Sequence, residues 1–266
     1  AGNELLAISH NANLSDGVMF PLEVDSKGRP IDAAWAQSRV NNEPLSEMQQ
    51  LKGASETHPA LSPNDEFARH EILEYLLGGI DRAPRPHGSY IREAYQHGLA
   101  MQDTRGYNPY RFGLVGASDT HGTAMVYTQS NYFGGHALLD ATPQGRLSGE
   151  KHAGMTSDRF ATSGLGGVWA EENTREAIFA AMQRKETFAT SGVRIRVRFF
   201  GGWDFAPGVL QSKEWVRIGY ANGVPMGGDL PPAKGKAPTF LVWAVKDPTS
   251  GNLDRIQIVK GWSKSG

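Results

Sequence analysis

A carboxylate and an imidazole lie two positions apart at the end of an apolar run, in the segment Asp119-Thr120-His121. Residues 112–117 are apolar or glycine and stop abruptly at Ser118, which is typical of a buried strand with functional groups at its carboxyl-terminal tip. On an extended chain, residues two apart face the same side. The pair therefore predicts either half of a metal site or an acid/base pair. In the alternative interpretation, Asp119 caps a turn and His121 is solvated.

Two further strand ends offer the same kinds of side chain. His10 follows a short apolar run at 5–9, and Glu56 and His58 follow the predicted strand 47–51. Imidazole and carboxylate without thiolate suit Zn, Mn or Fe, and two such ions about 3.5–4 Å apart can hold a hydroxide and clamp a phosphoryl group. In the alternative interpretation, His10 and His58 only make hydrogen bonds in loops. The five groups at these strand ends, His10, Glu56, His58, Asp119 and His121, are candidates for a metal site.

Polar side chains beside these groups are candidates for substrate contacts. Asn11 and Asn13 lie in the turn-rich loop 11–17 directly after His10, and His58 comes from the neighbouring predicted loop. We expect all three to contact a small-molecule substrate or to form a hydrogen bond to a metal ligand. Asparagines in such loops also simply form turns, and turn formation is the alternative for Asn13 in particular.

Composition excludes several classes of function. The chain has 266 residues, a formal net charge of -1 and 39% hydrophobic residues, which suits one large or two modest globular domains. The near-neutral balance argues against nucleic-acid binding, which needs a basic face. No apolar run is long enough to span a bilayer. Cysteine is absent, which excludes disulfides, thiolate metal sites and cysteine nucleophiles.

The order of the predicted elements positions the candidate groups at one edge of a sheet. Strand, helix, strand, helix, strand is the α/β pattern of a parallel sheet, and active groups there collect at the carboxyl ends of the strands. The predicted strands are 5–9, 47–51, 112–117, 164–170 and 186–190. The predicted helices are 31–40, a helix that starts at Ser62 and Pro63, a helix with its apolar stripe at 91–99, and a helix capped by Asn173.

The pattern changes after Gly192. Arginine alternates with apolar residues over 194–200, which predicts a strand with one solvated face. Further strands are predicted over 214–220, 239–245 and 254–259, separated by Gly/Pro turns. The sequence therefore predicts an α/β part over 1–191 and a small antiparallel β domain over 192–266.

Six segments resemble a large, mainly bacterial family filed as a domain of unknown function, and the resemblance spans nearly the whole chain. They are 9–20 (SHNANLSDGVMF), 42–47 (NEPLSE), 50–56 (QLKGASE), 116–121 (GASDTH), 169–176 (WAEENTRE) and 186–192 (ETFATSG). That family is similar to the PHP (polymerase and histidinol phosphatase) superfamily, whose members are distorted seven-stranded β/α barrels with a metal cluster at the strand ends.

The resemblance implies roles for individual residues. Asp119 and His121 match the last PHP metal motif, Asp-x-His, and His10 resembles the mid-barrel histidine ligand. Glu56 is matched to the bridging glutamate, which in PHP proteins usually arises earlier in the barrel. The family's first motif, an amino-terminal His-x-His, has no match here. The chain is therefore expected to be an internal or carboxyl-terminal piece of the barrel that packs against an amino-terminal segment or a second chain.

These observations lead to an expected function and its alternatives. The leading expectation is a metal-dependent hydrolase, foremost a phosphoesterase, in which a water activated at a multinuclear His/Asp/Glu site attacks a small-molecule ester. With the resemblance, the expected metal ligands are His10, Glu56, Asp119 and His121, and the expected catalytic groups are Glu56 and His121. The alternatives are hydrolysis of a sulfate ester or an amide, and a non-catalytic binding or scaffold module. The resemblance also implies an exported, periplasmic protein.

Overall fold

The computed structural model of the chain describes residues 4–76, 82–122, 135, 142–149, 151–152, 155–232 and 235–264. The helices in these ranges are α1 (Ala33–Asn42), α2 (Ile91–Arg105), α3 (Pro143–Leu147), α4 (Arg175–Gln183) and α5 (Trp215–Asn222). The strands are β1 (Ile8–Ser9), β2 (Leu45–Gln50), β3 (Gly53–Ala54), β4 (Gly113–Gly116), β5 (Lys151–His152), β6 (Met155–Thr156), β7 (Leu165–Val168), β8 (Thr187–Thr190), β9 (Arg196–Gly202), β10 (Gly223–Pro225) and β11 (Thr239–Val245).

The first sheet has β2 at its centre, with β1 and β4 parallel to it on either side and β3 antiparallel. Leu45 of β2 pairs with Ile8 of β1 and with Gly113 of β4. The three parallel strands therefore start level and end at one common edge. All residues of β2 except Met48 are buried, as expected for a central parallel strand.

An aromatic core behind this sheet fixes α1 and α2. Phe20 stacks on Phe112 and meets Tyr110 edge to face, and the buried Ile91 and Met101 of α2 belong to the same cluster. Helix α1 begins where the Asp32 carboxylate accepts the N–H of residue 35. Helix α2 ends at Gly106, whose positive φ of 79° is the usual helix-ending conformation of glycine. The predicted helices in these two regions are confirmed.

The antiparallel strands β7 and β8, connected through α4, lie beside β4, and Trp169 directly after β7 donates to the carbonyl of Val197 in β9. The second sheet is antiparallel in the order β10-β9-β11, and its core is formed by Phe200, Val209 and Leu241. The fold is therefore mixed α and β. The expected distorted PHP barrel is not confirmed, because the described residues form several small sheets and no closed barrel. The predicted boundary at 192 falls between β8 and β9.

The strand predicted over 214–220 is wrong, because Trp215–Asn222 is the helix α5. A short apolar run does not distinguish a strand from a buried helix. Gly219 decides the packing here: a Cβ atom at this position would lie 2.9 Å from the Phe200 ring, so glycine lets the helix approach the second sheet.

Two further predicted elements are also wrong. Ser62 and Pro63 do not start a helix, because the Asp65 carboxylate accepts the N–H of Phe67 within a turn and also binds Arg92. The capping residues therefore serve turns. Residues 254–259, predicted as a strand, form neither a strand nor a helix.

Gly164, directly before β7, permits the close contact that joins the β7–β8 pair to the edge of the first sheet. Its N–H donates to the carbonyl of Ala117 at 2.9 Å, and a Cβ atom here would collide with the carbonyl of Gln49 and lie 2.8 Å from that of Ala117. We expect Gly164→Ala to lower the free energy of unfolding by about 3 kcal/mol, the upper end of the usual cost of overpacking.

Urea unfolding of the purified variants measures this cost. Gly251→Ala is the matched control, because nothing lies within 4 Å of a Cβ atom at that position. Equal midpoints for the two variants would contradict the close contact at Gly164.

Candidate functional site

His10 lies directly after β1 and is held by a buried carboxylate from β2. Its Nδ1 atom is 2.7 Å from Oε2 of Glu47, whose side chain is 6% exposed whereas that of His10 is 45% exposed. An ionised carboxylate only accepts hydrogen bonds, so Nδ1 carries the proton in this arrangement. The lone pair of a neutral His10 is therefore on Nε2, on the side away from Glu47.

Asp119 faces that lone pair from the end of β4. Its Oδ1 atom lies 3.7 Å from Nε2 of His10. Asp119 has a φ of 55°, in the left-handed region that aspartate tolerates better than most residues. The chain is therefore not extended here, and the premise that placed Asp119 and His121 on one side by their spacing is wrong. The proximity of Asp119 to His10 comes instead from the parallel pairing of β1, β2 and β4.

A lysine occupies the other oxygen of Asp119. The Nζ atom of Lys52 contacts Oδ2, and the side chains of the two residues are only 13% and 12% exposed. Burial lowers the pKa of Lys52, and the negative charge of Glu47 acts in the opposite direction. The site thus contains two carboxylates and one ammonium beside a histidine.

The loop after β1 holds Lys52 and its neighbours in place. The side-chain amide of Asn13 donates to the carbonyl of Lys52 at 2.9 Å, and the N–H of Lys52 donates to Oε1 of Gln50 at 2.6 Å. The amide of Gln50 in turn donates to Oδ1 of Asn11 at 2.5 Å. Asn13 is 1% exposed and supports Lys52, which is not one of the predicted ligands, so its predicted substrate role stays a prediction. The substrate role of Asn11 stays a prediction.

Glu56 and His58 have partners of their own. Glu56 accepts a hydrogen bond from Nε of Arg92 at 2.9 Å, and Arg92 also binds Asp65. His58 accepts the N–H of residue 60 at Nδ1, while Nε2 lies 3.7 Å from Glu74. These contacts place neither residue against His10 or Asp119, so their predicted ligand, catalytic and substrate roles stay predictions.

His121 lies on the surface two residues beyond Asp119, and its backbone N–H donates to the carbonyl of Gly135 at 2.7 Å. Of the predicted ligands, the structure thus brings His10 and Asp119 together. In the described ranges, no group of three or more His, Asp or Glu side chains is arranged to hold a metal ion.

The whole chain, residues 1–266, matches the family model described as protein of unknown function (DUF3604). The chain belongs to this family. No curated protein and no solved structure matches the chain significantly. The expected membership of a domain-of-unknown-function family is thereby confirmed, and the similarity to the PHP superfamily remains an expectation.

Two charged residues of the cluster in this DUF3604 chain, Glu47 and Lys52, are not predicted as functional from the sequence. Glu47 falls in the predicted strand 47–51 and Lys52 directly follows it, and neither position alone indicates a role. A signal was nevertheless present: a central parallel strand normally reads as a nearly continuous apolar run, whereas β2 contains Glu47, Gln49 and Gln50. Buried polar residues in such a strand need partners, and the partners define a polar cluster.

The arrangement provides two of the donors that a divalent metal needs, an imidazole nitrogen and a carboxylate oxygen. A metal-binding histidine usually donates its other ring N–H to a carboxylate or a carbonyl, as Nδ1 of His10 does to Glu47. This hydrogen bond fixes the tautomer and the orientation of Nε2. With a neutral His10, the charges of Glu47, Asp119 and Lys52 leave one net negative charge, which favours binding of a cation. The residues present therefore fit one half of a metal site.

The tautomer of His10 is a direct consequence of this geometry. We expect ¹⁵N spectra of histidine-labelled protein to show His10 protonated at Nδ1 and not at Nε2 when the ring is neutral. Glu47→Gln should shift His10 towards the Nε2-protonated tautomer, because an amide nitrogen can donate to Nδ1 where the carboxylate accepted. Glu23→Gln is the control, since Glu23 pairs with Arg105. An Nε2-protonated His10 in the unsubstituted protein would contradict the proposed orientation.

Proposed function

We propose that this chain forms part of a metal-dependent hydrolase of phosphate esters. His10 and Asp119 are its proposed ligands of a divalent Zn, Mn or Fe ion. One observation carries the proposal. Nε2 of His10 faces Oδ1 of Asp119 at 3.7 Å while a buried glutamate holds Nδ1. A metal-ligating histidine is normally oriented in this way.

The remaining ligands are assigned by the resemblance. A catalytic metal normally has at least three protein ligands, and the proposal takes the third from His121 or from an additional segment or second chain packed at the same edge. Glu56 serves as ligand or general base only after release from Arg92, which binds it now. A divalent metal held here would lower the pKa of a bound water, so that hydroxide forms near neutral pH.

The chain's own residues would prepare the site for this chemistry. Glu47 keeps the His10 ring in one orientation, and Lys52 offsets part of the charge of the two carboxylates. The side chain of His10 is 45% exposed, so its ring is accessible from solvent, and Asn11 follows it in the chain. Phosphate esters are favoured by the resemblance. Sulfate esters, amides and a non-catalytic binding role are the alternatives that a substrate panel distinguishes.

The proposed site does not determine the cellular location of the chain. Among the described helices, none is long and apolar enough to cross a bilayer. An exported, periplasmic protein is proposed on the resemblance alone.

Metal content tests the proposal without requiring a known substrate. After incubation with Zn²⁺ or Mn²⁺ and desalting, we expect His10→Ala and Asp119→Ala each to lower the bound metal, because each removes one donor. Affinity should fall at least about tenfold, as expected even for loss of a residue that only supports a ligand. His70→Ala and Asp204→Ala are matched controls, since both residues are largely exposed and lie outside the cluster.

Elemental analysis combined with intact mass of every chain in the sample gives the stoichiometry. Unchanged metal content in both site variants would rule out His10 and Asp119 as ligands. A loaded sample is then assayed on phosphate esters, sulfate esters and amides. Loss of turnover in Asp119→Ala but not in Asp204→Ala identifies the class that is cleaved at this site.

A further inference from the structure

A cavity of about 610 Å³ opens between the β7–β8 pair and the second sheet. Side chains from several elements line it: Trp169 directly after β7, Arg184 and Glu186 between α4 and β8, Arg198 of β9, Tyr220 of α5 and Pro225 of β10. All of these side chains lie outside the cluster of His10 and Asp119. A cavity of this size suits a small organic molecule better than a bare ion.

Arg198 brings unused hydrogen-bond donors to this cavity. Its guanidinium lies over the Trp169 ring, 3.6 Å from the ring centroid, and its Nη1 donates to the Tyr220 hydroxyl at 3.0 Å. A guanidinium is planar and directs its five N–H donors outward in its own plane. Among the described residues, the Tyr220 hydroxyl is the single hydrogen-bond acceptor that these donors reach. The remaining donors are therefore available to a ligand.

Arg184 contributes a second guanidinium to the same cavity. Its Nη2 atom lies 3.6 Å from Oε2 of Glu186, which is beyond the length of a hydrogen bond, and its side chain is 49% exposed. In the part of the chain that the structure describes, this guanidinium makes no hydrogen bond. Paired N–H donors of arginine match the oxygens of a carboxylate or a phosphate group. The two arginines therefore favour an anionic ligand.

The acidic residues of the cavity leave this preference in place. Glu186 is 5% exposed and accepts a hydrogen bond from the Tyr220 hydroxyl, so the two arginines and this carboxylate sum to one net positive charge. Burial raises the pKa of Tyr220, and so does its hydrogen bond to Glu186, which keeps the hydroxyl protonated. Glu171 also lines the cavity, but it is exposed, and water and salt screen an exposed charge.

We propose that this cavity is a binding site for a small organic anion, whose carboxylate or phosphate group is held by Arg184 and Arg198. The Tyr220 ring and Pro225 supply an apolar wall for the rest of the molecule. Tyr220 also holds Arg198 in place through its hydroxyl. This site is separate from the proposed hydrolase, and it does not depend on metal binding by His10 and Asp119.

Three ligands with the same aromatic ring test the inference by isothermal titration calorimetry on the full chain. Phenylacetate carries a carboxylate, benzylphosphonate carries a phosphate-like group that is not hydrolysed, and benzyl alcohol is uncharged. We expect at least one of the anions to bind at one site per chain, at least about tenfold more tightly than the alcohol, because hydrogen bonds to charged groups are the strong ones. The tighter anion identifies the preferred group. Equal binding of all three, or no binding of either anion, would overturn the inference.

Substitution of Arg184 locates the bound anion. Arg184→Gln should weaken binding of the tighter anion at least about tenfold, because a charge-assisted interaction is lost. Arg217→Gln is the matched control: it removes the same charge from α5, where Arg217 pairs with Glu214. Equal affinities of these two variants would place the anion elsewhere and overturn the inference.

Substitution of Glu171 should have the opposite effect. Glu171→Gln removes a negative charge from the cavity, so the anion should bind about two- to fivefold more tightly, as expected for an exposed charge. A variant that failed to fold would not give such a gain. Unchanged or weaker binding would contradict the anionic class of the ligand.

Protection from phenylglyoxal, which modifies accessible arginines, tests both arginines in the unsubstituted protein and does not depend on the folding of any variant. We expect the tighter anion to slow the modification of Arg184 and Arg198 and to leave that of Arg217 unchanged, as mapped by peptide mass spectrometry. Protection of neither cavity arginine, or equal protection of Arg217, would overturn the proposed site.

Discussion

Parallel pairing of β2 with β1 and β4 is the constraint on which the candidate site depends. Leu45 is level with Ile8 on one side and with Gly113 on the other, so all three strands end at the same edge. His10, Lys52 and Asp119 follow these three strand ends. They are distant in the sequence, so the pairing of the strands brings them together. A shift in the pairing of β2 would move Glu47 away from His10 and Lys52 away from Asp119.

The register matters energetically because the site contains charges that are largely removed from water. Glu47 and Asp119 are tolerated there because His10 and Lys52 lie within contact. Removing one partner of a buried ion pair leaves an uncompensated charge and costs about 3–5 kcal/mol. The proposed metal binding depends on the same charges, because their sum is one net negative charge when His10 is neutral.

Much of this arrangement could be predicted from the sequence, and the reasons differ from residue to residue. His10 and Asp119 were identifiable because an apolar run stops at a polar side chain, which marks a strand end in a parallel sheet. Glu47 and Lys52 are harder to identify, because Glu47 lies inside a strand and Asp119, the partner of Lys52, is distant in the sequence. The ion pair of Glu56 with Arg92 joins positions 36 residues apart, and such pairs are set by tertiary packing.

Tertiary packing also explains why some secondary-structure elements were predicted wrongly. A short apolar run such as 214–220 fits either a strand or a helix, and the observed helix α5 packs its Gly219 closely on Phe200. Ser62, Pro63 and Asp65 have the residue types of a helix start, but their polar groups are used in turns and by Arg92. Strand 239–245, by contrast, was predicted with its observed bounds because its apolar run is long and bounded by turn residues.

The central claim is that His10 and Asp119 jointly bind a divalent metal ion, and anomalous diffraction tests it most directly. Crystals of the chain soaked in Zn²⁺ would be measured on both sides of the zinc absorption edge. The account predicts an anomalous peak about 2.0–2.2 Å from both Nε2 of His10 and the facing Oδ1 of Asp119. A map with no peak between these two atoms, while zinc is bound elsewhere in the same crystal, would contradict it.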